Sequence, residues 1–404
     1  MKRHLLLAFA MAVFMSMADE ISVTYNAPRN QTRAEILWTR PICVETNRYV
    51  GWPTVTRLKN GDLVVVFSGD RDAHVCPWGK VQFIRSKDGG ETWSAPQTIA
   101  NGPIDDRDAG LVELPDGELL VVYFTSIAYR TKRLLEGQWG PQTRQYWWVR
   151  HDEKLSDEVR QSALGNFCVR SRDGGVTWSK PEKMSMKGQT PHGPILLRDG
   201  SLFQIGKVDK PPTPSYMSID PKIRTGITAE RSTDGGRTWE LLCQNIPAPP
   251  DDPPKMVYCE PNAVELSDGT IIGLVRYHGP DNCLRQAVSR DGGRTWTPMK
   301  ATTLKGLPPH LIRLADGKVV VVYGRRLADP GFGEFATISD DGGKTWDSAN
   351  EICLAPSHNG DLGYPSTCLL PSGDLLTVYY QQQRPARGEL PCIMATKWKV
   401  GERK

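Results

Sequence analysis

The 404-residue sequence predicts an all-β chain folded as a six-bladed β-propeller, and two interleaved repeats carry that prediction. The first is Ser-x-Asp-Gly-Gly-x-Thr-Trp, found five times, at 86–93, 171–178, 232–239, 289–296 and 339–346. Each copy reads as a turn between strands. The Asp accepts bonds from N–H groups of its own turn, the Gly pair supplies positive φ, and the Trp pins the turn to the sheet. The second repeat is offset from the first and occurs six times, at 52–61, 108–117, 191–200, 260–269, 308–317 and 364–373. It is a short strand, a turn ending in Gly, then a β-branched and aromatic run such as 63–67, 119–124 or 319–323. Six such hairpins, five of them followed by an Asp turn, make six four-stranded blades.

Taken in order, residues 1–18 read as a targeting segment. Lys2, Arg3 and His4 are basic, 5–15 is apolar, and Ser16 and Ala18 suit cleavage near Ala18, so an exported protein, periplasmic or secreted, is expected. The apolar run is too short to span a bilayer comfortably. Residues 19–33 are polar and read as a loose segment, and Ala34 opens a strand. The sixth hairpin is followed by one further strand, 391–400, and no Asp turn. The N-terminal strand is therefore expected to complete the sixth blade, which removes two open edges and makes 34–400 one domain. Two insertions break the rhythm: 126–166 in blade two, with Tyr146, Trp147, Trp148 and His151, and the Pro-rich 208–226 in blade three. Such loops emerge on a rim and commonly build binding sites; Trp147 and Trp148 fit loop packing and a sugar platform equally.

A formal charge of +4 without clustering gives no footprint for nucleic acid. Nine cysteines without a CxxC pair define no disulfide framework or zinc site; Cys259 and Cys283 flank the fourth hairpin and could pair, with isolated buried thiols at least as well supported. His192 and His310 read as hydrogen-bonded rim residues, so no metal or other cofactor is expected. Oligomeric state is not legible.

In a propeller the starts of the first strands and the ends of the second strands share one axial mouth. Alignment on the turn glycines brings Trp52, Asp108, Pro191, Glu260, Pro308 and Tyr364 there. The strand-two ends bring Arg71, Thr125, Lys207, Arg276, Arg325 and the pair Tyr380, Gln381. Cations gathered round a few acids and a Tyr suit an anionic ligand, and Arg grips a carboxylate with two parallel bonds. The Asp-turn acids Asp88, Asp173, Asp234, Asp291 and Asp341 sit on outer turns and are structural.

This constellation resembles the sialidases (neuraminidases), whose Asp-box repeats lie on a six-bladed propeller, and the likeness covers nearly the whole mature chain. The segment around Glu260 resembles the one whose Glu partners the nucleophile. Arg276 and Arg325 match the second and third carboxylate-binding arginines, and Tyr364 matches the nucleophile. The resemblance implies a retaining exo-α-sialidase that removes terminal sialic acid from glycans or mucin-like glycoproteins. Its nucleophile would be a neutral phenol, which avoids the charge of the substrate carboxylate, with Glu260 taking the proton. An Asp would protonate the leaving oxygen and then activate water.

The sequence also departs from that pattern. Trp52 stands where the family has its first Arg, and Gln381 where a Glu braces it; Arg48 and Arg107 are the nearest replacements. The acid/base belongs in loop 69–74, where Asp72 is placed first, His74 also fits, and Asp70 lies behind them. Asp108 matches a substrate-contacting Asp and is also open as the acid. The rival readings are a non-catalytic glycan-binding propeller and a glycosidase for another acidic sugar.

Overall fold

The computed structural model describes residues 33–130, 142–210, 224–252, 256–327, 331–383 and 389–401. The expected targeting segment, the remainder of 19–32 and parts of both insertions lie outside the described residues. Six four-stranded antiparallel sheets form six blades. In five of them the strands are adjacent in chain order. In the sixth, Ala34–Cys43 pairs with Cys392–Val400, from Ala34↔Val400 to Cys43↔Ile393, so the two ends of the described chain share one sheet. Arg33, placed in the loose segment by sequence, is only 3% exposed and bonds Asp340 (2.9 Å) and Asp347 (2.8 Å) of blade five.

One local device builds every hairpin. The N–H groups of Leu58, Leu114, Leu197, Leu266, Leu314 and Leu370 each donate to a carbonyl four residues on, while the turn Gly donates back to the Leu carbonyl. That closure needs a left-handed residue, and the six glycines supply it at φ 83–93°. The Asp turns close as the repeat predicts. Asp88 accepts from Ser86 Oγ (2.7 Å) and Thr92 N (2.9 Å), and Trp93 Nε1 donates to the Gly90 carbonyl (3.1 Å). In the last copy Trp346 Nε1 instead reaches Gln286 of the preceding blade (2.7 Å).

The second strands are buried on both faces, and apolar clusters join successive blades. Leu58, Val64 and Val66 of blade one, for example, pack with Leu111, Leu119 and Val121 of blade two. All nine cysteines are free thiols, so Cys259 and Cys283 do not pair. No helix among the described residues is long and apolar enough to cross a membrane.

What positions the axial mouth is a bulge in four of the first strands. Register slips between Gly51 and Thr54, Arg107 and Gly110, Cys259 and Asn262, and Gly363 and Ser366. Inside each slip one non-glycine residue is left-handed: Trp52 (φ 58°), Asp108 (48°), Glu260 (45°) and Tyr364 (54°). Each such conformation costs about 1–3 kcal/mol, borne by the surrounding sheet, and each bulge re-aims a side chain.

Candidate active site

Two bulged residues from different blades meet directly. Tyr364 Oη donates to Glu260 Oε1 at 2.6 Å, and Arg276 Nη1 bonds the other Glu260 oxygen while lying 3.4 Å from the phenol. Burial, with Glu260 beside it, pushes the Tyr364 phenol well above its usual pKa. Burial acts to raise Glu260 as well, but the Arg276 charge and the bonds from Tyr364 and Arg276 outweigh it and hold the carboxyl below its ordinary value. The result is a neutral phenol against an ionised carboxylate, the protonation state a base-assisted phenol nucleophile requires.

The third and fourth bulged residues line the same mouth. Asp108 is 2% exposed, and burial, opposed by Arg107, pushes its carboxyl up to about 7. Trp52 is 1% exposed and stands edge-on to Tyr364 (centroids 6.2 Å) and His74 (5.0 Å), with Tyr380 tilted at 5.6 Å. The guanidinium groups of Arg107 and Arg71 lie 4.4 and 4.9 Å from its ring centroid. Arg71 is fully buried and bidentate to Asp105 (2.6 and 2.8 Å), and Arg107 also faces Asp105 at 3.4 Å. Neither replaces the missing family Arg as a free cation; both hold the Trp that stands in its place. Arg48 is likewise committed, to Asp70 (2.6 Å) and Asp72.

Two strand-end residues predicted from sequence turn elsewhere. Arg325 pairs with Glu351 and lies over Phe335 (3.9 Å), and Gln381 donates to the Pro356 carbonyl (3.3 Å). Their neighbours face the mouth instead. Arg326 donates to Tyr380 Oη (2.7 Å) and the Leu362 carbonyl (2.8 Å), with its guanidinium 5.4 Å from the Tyr364 ring. The signal was present in the Arg325–Arg326 doublet and the Tyr380–Gln381 pair. A strand buried on both faces gives no alternation from which to choose between neighbours.

Loop 69–74 divides its candidates. Asp70 is bound by Arg48 and Lys80. Asp72, 7% exposed, bonds Arg48 with one oxygen and Trp148 Nε1 with the other (2.8 Å). His74 Nδ1 lies 3.0 Å from Tyr49 Oη and 3.3 Å from Asp361 Oδ1. Beside Asp72 a cavity of about 400 Å³ is lined by Trp78, Trp147, Arg150, His151 and Lys154. The insertion helix Gln142–Glu153 supplies most of that lining. It buries Trp148 (4% exposed) in packing and leaves Trp147 63% exposed beside the cavity. No group of three or more His, Cys, Asp or Glu able to hold a metal occurs among the described residues.

The model of the BNR repeat-like domain family matches residues 142–377, more than half of the sequence. The chain belongs to the BNR repeat-like domain family. This BNR repeat-like chain is 24% identical over 335 residues to a sialidase of Bacteroides fragilis, covering 76% of this chain and 56% of that protein. It thus spans little more than half of that relative. A Dyadobacter fermentans protein of unknown function superposes with a TM-score of 0.70 at 23% identity, over 91% of this chain and 99% of the other. A Penicillium chrysogenum α-L-arabinanase complexed with arabinobiose superposes at 0.56 and 15% identity, over 89% of this chain and 98% of the other. At such identities the superpositions bear on fold alone.

Proposed function

We propose that this BNR repeat-like protein is a retaining exo-α-sialidase acting on terminal sialic acids of glycans. The observation that carries the reading is the 2.6 Å bond between Tyr364 Oη and Glu260, with Arg276 against both. Binding alone has no need of a buried carboxylate poised to deprotonate a buried phenol. As Tyr364 Oη attacks the anomeric carbon, its proton passes to Glu260 and the glycosidic oxygen leaves with a proton from an acid opposite. Water then displaces the phenol, which recovers its proton from Glu260. Arg276 and Arg326 hold the sugar carboxylate through a transition state in which the ring becomes cationic. Asp108, its carboxyl raised to about 7 by burial, contacts a polar group of the sugar. The cleft of Trp147, Arg150 and Lys154 takes the remaining glycan. Residues 1–18 would direct export.

One observation favours a second reading. Arg71 and Arg325 are neutralised by Asp105 and Glu351, which leaves fewer cations for a carboxylate than the sequence suggested. A glycosidase for another acidic sugar fits that smaller anion site. Release of free sialic acid from a sialylated glycoprotein, wild type against Tyr364→Phe, decides between them. The sialidase reading expects release that falls at least about a thousandfold in the variant. Turnover of uronic acid glycosides instead supports the second reading.

A further inference from the structure

The proposed reaction needs a proton donor for the leaving oxygen, and the residue placed first by sequence is poorly suited. Both Asp72 oxygens are engaged, by Arg48 and by Trp148 Nε1. Asp108, with Arg107 3.8 Å away, is left to the sugar contact assigned to it above. His74 differs from both. Its side chain is 25% exposed, and its ring packs edge-on to Trp52, which in turn stands edge-on to Tyr364. Nδ1 is held by Tyr49 Oη and Asp361 Oδ1, while Nε2 makes no hydrogen bond among the described residues. Asp361 lies just ahead of the strand Gly363–Leu369 that carries the nucleophile, so the carboxylate orienting His74 and the phenol share one segment. The loop backbone is fixed too, since the His74 carbonyl accepts from Arg71 and Arg107 at 3.3 Å each.

Resting on the sialidase reading, we infer that His74, oriented by Asp361 and Tyr49, is the acid/base of this site. In the first step the Nε2–H proton moves to the glycosidic oxygen as the bond from the anomeric carbon to that oxygen breaks and the bond to Tyr364 Oη forms. In the second step Nε2 takes a proton from the attacking water as the bond to Tyr364 breaks, which restores the imidazolium. Asp361 balances the imidazolium charge in the free enzyme and orients the neutral ring in the glycosyl-enzyme. Asp361 is a positioning residue, because it acts through the ring.

The charged groups facing His74 are Asp361, Arg107 and Arg326. Burial lowers its pKa, Asp361 opposes, and the two arginines add to the lowering, so the imidazolium is lost at a pH below the usual imidazole value. A donor of this kind gives activity that declines as pH rises through that value.

The test compares an alkyl-linked sialoside, whose leaving oxygen needs a proton, with a nitrophenyl sialoside, whose leaving group does not. His74→Ala is expected to lose about 10²–10⁴-fold in kcat on the alkyl substrate and less than about tenfold on the aryl one. His74→Gln serves if the Ala variant fails to fold. Asp361→Asn should move the alkaline limb of kcat/KM to lower pH with KM little changed, which a purely structural role would not do. Equal losses on both substrates in a folded variant, or selective alkyl loss from Asp108→Asn instead, overturn the assignment. A wild type inactive on both sialosides overturns the sialidase reading and this role with it.

Discussion

Glu260 sits between a phenol it must deprotonate and a guanidinium that keeps it ionised, so its replacement has two separable effects. Glu260→Gln should lower kcat by about 10²–10³-fold through loss of the base. It should also lower Tm, because Arg276 is left as a buried charge without its counter-ion. Trp52 supports a different expectation. Restoring the family residue with Trp52→Arg would set a third guanidinium beside Arg71 and Arg107, with Asp105 already shared by both. The variant should melt at lower temperature and gain no sialidase activity; a rise in kcat/KM would show that the aromatic cluster is not the working arrangement. Glu260 and Tyr364 were legible in the sequence because a turn Gly fixes their distance from the hairpin. Arg326 was not, and Tyr380 was read only as one of a pair with Gln381, because one residue of register decides which neighbour faces the mouth.

At the scale of the element, four bulges and five Asp turns divide the labour. The bulges hold left-handed residues at the mouth, whereas the Asp turns lie on the outer turns of five blades and touch no site residue named above. Asp291 illustrates the second group: bonds from Thr295 and the other members of its turn hold the carboxyl down to about 2. Asp291→Ala should therefore cost about 1 kcal/mol of stability, read as a Tm shift, with kcat unchanged. The hairpins and Asp turns could be read from sequence because each requires specific residues at fixed offsets. The insertion helix Gln142–Glu153 could not, because its tryptophans are adjacent, which no helical stripe predicts, and Tyr146, Trp147 and Val149 are exposed while Trp148 is buried.

Over the whole molecule the ring is held shut by Ala34–Cys43 on Cys392–Val400 and by Arg33 on Asp340 and Asp347. Removal of residues 33–43 would expose the edge of that last strand, and the truncated chain should aggregate or lose a single cooperative melting transition. Buried ionisable groups set the pH dependence. Burial raises Glu334 and Asp106 to about 8, so from the ordinary carboxylate range up to about 8 the unfolded chain holds fewer protons than the folded one, and this part of the stability falls as pH rises through that window. Burial lowers His192 and His310, the latter to about 4, which removes stability as pH falls from 6.5 towards 4. The Asp turns add a further loss from the ordinary Asp value down to about 2. Tm should thus peak at mildly acid pH, and Glu334→Gln should flatten its alkaline fall.

The most direct test of the central claim is chemical trapping. A 3-fluorosialosyl fluoride forms the glycosyl–enzyme bond quickly and hydrolyses it slowly, so the modified residue can be found by peptide mass spectrometry. The account predicts a single fluorosialosyl adduct on the peptide containing Tyr364, absent from Tyr364→Phe. An adduct on another residue, or an untouched protein that still releases sialic acid, would contradict it.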